Sequence, residues 1–171
     1  MSFGIGRSGR RIILPDAALV PVVRLPQRRP TAAPRRATSG PERHLIQIAA
    51  ALLWFEAIGL AIPDLIGIRS LLEGRGVATV LGYPSYGGGG FERAGIPTTV
   101  PLLLAFLLVL FLEIVAGWWL WQGSRTGAVF ALVLLVPSAV FWWGFDLPYP
   151  PIIAAIRTLL ILLAWGSLRD P

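Results

Sequence analysis

Residues 100–121, VPLLLAFLLVLFLEIVAGWWLW, form a block of twenty-two in which Glu113 is the only charged side chain. A helix of about 20 apolar residues covers the roughly 30 Å hydrocarbon core of a bilayer, and only a helix or a closed barrel can satisfy its own backbone there. This block therefore sets the solvent for the rest of the chain. Composition agrees: 55% of the residues are hydrophobic and 14% charged, against roughly 45–50% and 25% in soluble domains.

Three further apolar segments follow the same logic. The first spans residues 45–62, where Pro63-Asp64 is expected to close the helix unless residues 65–68 extend it. After it comes an outer loop, 69–99, whose four glycines 87–90 read as a linker because no strand and helix flank them as a phosphate loop requires. The span at 100–121 is joined to 127–145 by the tight polar turn 122–126, which makes those two helices antiparallel neighbours. Pro137 interrupts the third span and frees a carbonyl, tolerable in a membrane only where a neighbour re-satisfies it. The fourth span is 151–168. Six of the seven tryptophans (118, 119, 121, 142, 143 and 165) fall near expected span ends, where indole rings favour the interface, and Trp54 alone lies in mid-span. The expected architecture is all-α, a four-helix transmembrane bundle over 44–171 preceded by a disordered basic tail over 1–43.

That tail holds nine of the fifteen arginines against Asp16 and Glu42, a net charge of +7, while the remainder nets −1. Prolines are scattered through it and it lacks the apolar content to build a core. Its charge suits anionic lipid headgroups, and without aromatic interleaving it gives no nucleic-acid signature. Counting arginines near the span ends places both termini on the cytoplasmic side of a bacterial plasma membrane. The chain has no cysteine and a single histidine, His44. Disulfides, Fe–S clusters and a two-histidine metal or haem site within one chain are thereby excluded.

Glu56, Glu113 and Arg157 fall inside the hydrocarbon, where a charge costs about 2.5–3.5 kcal/mol on insertion scales. At about 1.5 Å per residue, Glu56 lies roughly 14 Å below the outer face, Arg157 roughly 10 Å and Glu113 roughly 20 Å. A Glu56–Arg157 pair is expected, with Glu113 one turn deeper, lacking a charge partner and so held neutral. Two readings compete. Glu56, Glu113, Arg157 and Trp54 line a polar pocket or proton-handling site, or the pair is a clasp that fixes helix register while Glu113 bonds the carbonyl freed by Pro137. No Ser-His-Asp set, phosphate loop or paired aspartates at metal spacing accompanies them, so the residues name no reaction and no metal.

From Phe91 the run Phe91-Glu92-Arg93-Ala94-Gly95-Ile96-Pro97 leads to Glu113-Ile114-Val115-Ala116-Gly117 and then Arg125-Thr126-Gly127-Ala128. Over about 91–148 this resembles the DoxX-like family of small four-helix membrane proteins, with its short G-x-P segment, its E-x-x-x-G helix and its G-A helix start. The resemblance implies a bundle that binds a lipophilic small molecule, with a quinone as the implied ligand and Glu113 and Gly117 as the matched positions. Members are often of unknown activity and some act as quinone-linked oxidoreductase subunits, so the resemblance leaves the reaction open and any redox part of this chain is expected to be an accessory one. The alternative is a non-enzymatic assembly subunit that meets a membrane-complex partner, or a second copy of itself, through its tail and outer loop.

Overall fold

The computed structural model describes residues 40–80, 83–84 and 86–169. Its helices are α1 (Gly40–Leu72), α2 (Gly90–Arg93), α3 (Val100–Trp121), α4 (Arg125–Gly144) and α5 (Pro150–Leu163), with a 3₁₀ turn at Trp165–Ser167. Two short strands, β1 (Thr79–Val80) and β2 (Tyr83–Pro84), pair antiparallel between α1 and α2. Three helices, α1, α3 and α4, are long and apolar enough to cross a membrane. The chain is a multi-pass membrane protein. Most of the expected tail lies outside the described residues, and residues 40–43 belong to the first turn of α1. Pro41, with its fixed φ and no N–H to leave unpaired, suits that position, and Glu42 suits the positive end of the helix dipole.

Packing joins α1 to α3 and α5, and α4 to α3 and α5. The seam is easiest to read on α3, where Leu103, Phe106, Leu110, Glu113, Gly117 and Leu120 are buried at alternating spacings of three and four. Leu104, Leu108 and Phe111 on the opposite face are exposed. Large apolar side chains thus face outward, as lipid requires, while small residues fill the contacts between helices: Ala49, Ala50, Ala116, Ala128, Ala131 and Ala154 are all buried. Without a hydrophobic gain between helices in lipid, association rests on such close backbone approach and on polar contacts.

Two helices differ from expectation. Pro63 does not end α1, which continues to Leu72 and reaches 33 residues, about 50 Å at 1.5 Å per residue. The helix survives because the outer loop comes back onto the weakened turn. Tyr86 donates its hydroxyl to the Leu60 carbonyl at 2.7 Å, one residue past the carbonyl that Pro63 cannot bond. Burial, reinforced by the nearby Asp64, pushes the Tyr86 phenol well above its ordinary pKa, so it stays a donor. The second difference is α5, with 14 residues where a span of eighteen was expected. At about 21 Å it is shorter than the hydrocarbon core, and the 3₁₀ turn extends it.

Glycines 87–90 are no loose linker. A Cβ on Gly89 would lie 2.2 Å from the Gly144 carbonyl oxygen, and one on Gly90 would lie 2.8 Å from the Trp143 carbonyl oxygen. These two residues let the loop backbone press onto the end of α4. Gly88, at φ +76°, turns the chain and donates its N–H to the Glu92 carboxylate at 2.7 Å. Thr98 then ties the loop down by donating to the Tyr86 carbonyl at 2.6 Å.

At the opposite end the chain closes on itself. The Arg125 N–H donates to the Arg169 carbonyl at 2.8 Å, and the Arg169 N–H to the Gly123 carbonyl at 2.9 Å. The Arg125 guanidinium lies 5.7 Å from the centre of the Trp165 ring, a cation–π distance.

Candidate functional site

Three helices bring their charged residues to one point. One nitrogen of the Arg157 guanidinium, Nη2, donates to Glu113 Oε1 at 2.9 Å, and the other, Nη1, lies 3.1 Å from Glu56 Oε2. The fourth long helix contributes Ser138, whose hydroxyl donates to the same Glu113 Oε1 at 2.8 Å. All four residues are at least 97% buried. The planar, forked guanidinium can serve two carboxylates on different helices at once, which a lysine ammonium does less well.

The expected Glu56–Arg157 pair is therefore present, and the expectation for Glu113 is corrected. Glu113 is not without a charge partner, since it holds the closer contact to Arg157. Nor does it bond the carbonyl freed by Pro137; its partner on α4 is the side chain of the next residue, Ser138. Axial depth alone misplaces it, because the long arginine side chain reaches across the difference in depth.

Each charged residue occupies the inner seam of its helix. Glu56 follows the buried Leu53, Glu113 lies between Leu110 and Ala116, Arg157 between Ala154 and Ile161, and Ser138 follows Leu134. On one side of this level is an aliphatic cluster that includes Leu53, Ala116, Leu134 and Ile161. On the other is a cluster rich in aromatic rings, among them Tyr86, Phe91, Phe106 and Phe145. The charges sit at the waist between the two.

Trp54 is not part of this constellation. Its Nε1–H donates to the Ile114 carbonyl at 3.0 Å, and its ring lies 5.5 Å from that of Trp121 and 6.4 Å from that of Trp118. A Cβ on Gly117 would come within 2.5 Å of Trp54 Nε1. Gly117 thus provides the flat surface on which this indole rests, a packing reason for the glycine in the E-x-x-x-G pattern. Two residues along a helix rotate by about 200°, so Trp54 and Glu56 face different ways despite their similar depth.

A cleft of about 190 Å³ reaches the cluster at Glu56. Its walls are Phe55, Glu56, Gly59 and Leu60 of α1 and Leu147 to Pro150 with Ile153 at the start of α5. Glu56 is the only ionisable side chain of the cluster that it touches. Neither Glu56 oxygen has a hydrogen-bond partner, whereas Glu113 Oε1 accepts two.

One buried carboxylate escaped the sequence reading, which took Pro63-Asp64 as a helix end. Asp64 is fully buried on α1 and neither of its oxygens is hydrogen-bonded. Its signal was available in a weak form: with a helix continuing past Pro63, Asp64 falls on the seam of Ala57 and Ile68. Among the described residues no group of three or more His, Cys, Asp or Glu is placed to hold a metal ion.

The chain matches no protein-family profile, no curated protein and no solved structure.

Proposed function

We propose that this protein is a DoxX-like four-helix transmembrane bundle that binds the head of a lipophilic small molecule, of the quinone class, against Glu56. The observation that carries the reading is that Glu56, whose buried carboxyl group makes no hydrogen bond beyond its ion pair with Arg157, lines an otherwise apolar cleft. A quinone head offers carbonyl oxygens to a carboxylic acid and a flat ring to apolar walls. The cleft is smaller than the roughly 300–1,000 Å³ of pockets that enclose a whole drug-sized ligand, so it admits a head while an isoprenoid tail runs out into lipid. On this reading the chain acts as a binding or accessory component. Both termini are cytoplasmic in a bacterial plasma membrane, with the arginine-rich tail on anionic headgroups.

The test is photolabelling with an azido-ubiquinone in lipid nanodiscs, followed by peptide mapping. Label on Phe55 to Leu60 and on Leu147 to Ile153, lost in Glu56→Gln while the protein remains folded, supports the reading. Label scattered over the lipid-facing surface, indifferent to Glu56→Gln, would overturn it.

A second reading, an assembly subunit, draws on a different feature. The α4 and α5 helices diverge to leave a lipid-facing groove of about 710 Å³ lined by Leu135, Ala139, Trp142, Trp143, Ala155 and Leu159, among others. A transmembrane helix of a partner would fill it. Cross-linking from a cysteine introduced at Ala139, in the native membrane, tests for that neighbour.

A further inference from the structure

Count the charges at the waist. Arg157 brings one positive charge, and Glu56 and Glu113 bring two carboxyl groups, all at least 97% buried and all at a depth where an uncompensated charge is expensive. The other groups that face the cluster do not change the balance. Ser138 on α4 is neutral, Tyr149 at the cleft brings a hydroxyl, and Asp64, two turns along α1, could only add negative charge. The cluster is neutral only when it holds one proton.

The geometry says which oxygen holds it. Glu113 Oε1 accepts from both Arg157 Nη2 and Ser138 Oγ, the arrangement that favours a carboxylate. Glu56 Oε2 is within 3.1 Å of Arg157 Nη1, while Glu56 Oε1 has no partner and belongs to the one cluster residue that lines the cleft. We propose that Glu56, Arg157 and Glu113 form a proton-binding site in which a single exchangeable proton resides on Glu56 and enters and leaves through the cleft beside the α4–α5 turn. Arg157 and Glu113 act as positioning residues, one fixing the Glu56 carboxyl and the other the total charge. This inference goes beyond ligand binding and stands without it.

The experiment is infrared spectroscopy of the full-length protein in nanodiscs, with carbon-13 placed in glutamate carboxyls so that Asp64 and the other aspartates stay silent. At neutral pH the wild type should show the carbonyl stretch of one protonated glutamate. Glu56→Gln should abolish it, because the remaining Glu113 then balances Arg157. Glu113→Gln should abolish it as well, because Glu56 then becomes the carboxylate paired with Arg157; a proton held on Glu56 by apolar surroundings alone would survive that change. Gly59→Leu tests the route. An added Cβ on Gly59 meets nothing within 4 Å, so the substitution fills the cleft mouth without touching the charges, and it should slow the shift of the band in heavy water severalfold. No protonated glutamate in the wild type overturns the proposal without recourse to any variant. A band that persists in Glu56→Gln overturns the assignment to Glu56, and exchange unaffected by Gly59→Leu overturns the route.

Discussion

The two halves of the core are built from different materials. At the end that carries the α3–α4 turn, the buried cluster is aliphatic and rich in alanine, with Ile46, Ala49, Ala50, Leu53, Ala128, Ala131 and Leu168 among its members. Backbone hydrogen bonds from Arg125 and Arg169 stitch that end shut. At the other end the cluster is aromatic, and two of its rings, Tyr86 and Phe91, come from the loop between α1 and α3 rather than from the long helices. Ring centres there lie 4.9 Å apart for Tyr86–Phe145 and for Phe106–Phe141. Among the described residues, the two buried carboxyl groups with no hydrogen bond on either oxygen are Glu56 and Asp64, and their α1 neighbours Ala57 and Ile68 belong to this aromatic half. Small residues let helix backbones approach closely, whereas the aromatic half depends on rings that a loop brings back onto the helices.

Replacing Arg157 breaks both halves at once and should have the largest effect. Arg157→Met leaves two buried carboxyl groups without their cation, and unfolding measured in mixed micelles should show a loss of about 3–5 kcal/mol, the range for stranding buried charge. A loss below about 1 kcal/mol would mean that water reaches the waist and that the two halves are not sealed there.

Two glycines sharpen the comparison at an intermediate scale. A Cβ on Gly127 would sit 2.5 Å from the Leu120 backbone nitrogen, in the aliphatic half, and one on Gly144 would sit 2.0 Å from Cε2 of the loop-borne Phe91. Overpacking costs about 1–3 kcal/mol, and helix backbone gives way less readily than a ring on a loop. Gly127→Ala should therefore destabilise more than Gly144→Ala, although the second contact is the shorter. The reverse order would mean that the loop is as rigid as the helices.

Smaller still is Tyr86→Phe, which removes the hydroxyl from the Leu60 carbonyl and should cost about 1 kcal/mol. Hydrogen exchange should rise at the α1 turn around Pro63 and remain unchanged at the α3–α4 turn. The smallest effect is expected at Asp64. Because neither of its oxygens is bonded, Asp64→Asn breaks no hydrogen bond and should not lower stability, and a large loss would reveal a partner for that carboxyl.

Sequence reasoning reached the membrane class and the level of the Glu56–Arg157 contact because hydropathy and axial rise are properties of the chain alone. It missed what depends on azimuth and on return of the loop. Trp54 shares Glu56's depth but not its face, so the two were grouped although the indole packs on Gly117. Axial rise separates Glu113 from Arg157 because it takes no account of the reach of the arginine side chain. Pro63-Asp64 carries a strong stop signal, and nothing local announces that Tyr86, 26 positions from Leu60, comes back to mend that turn. The glycine run looked like slack chain because the surface it presses against, the end of α4, is more than fifty residues away.

The central claim is that Glu56, Arg157 and Glu113 act as one unit at the boundary between the two halves. Its most direct test is the unfolding free energy of Arg157→Met beside that of the triple replacement Glu56→Leu, Glu113→Leu, Arg157→Met. Removing all members of a buried charge cluster together restores most of what removing one takes away. The triple variant should therefore recover most of the loss seen in Arg157→Met. A triple variant no more stable than Arg157→Met, with the three losses simply adding, would contradict the claim.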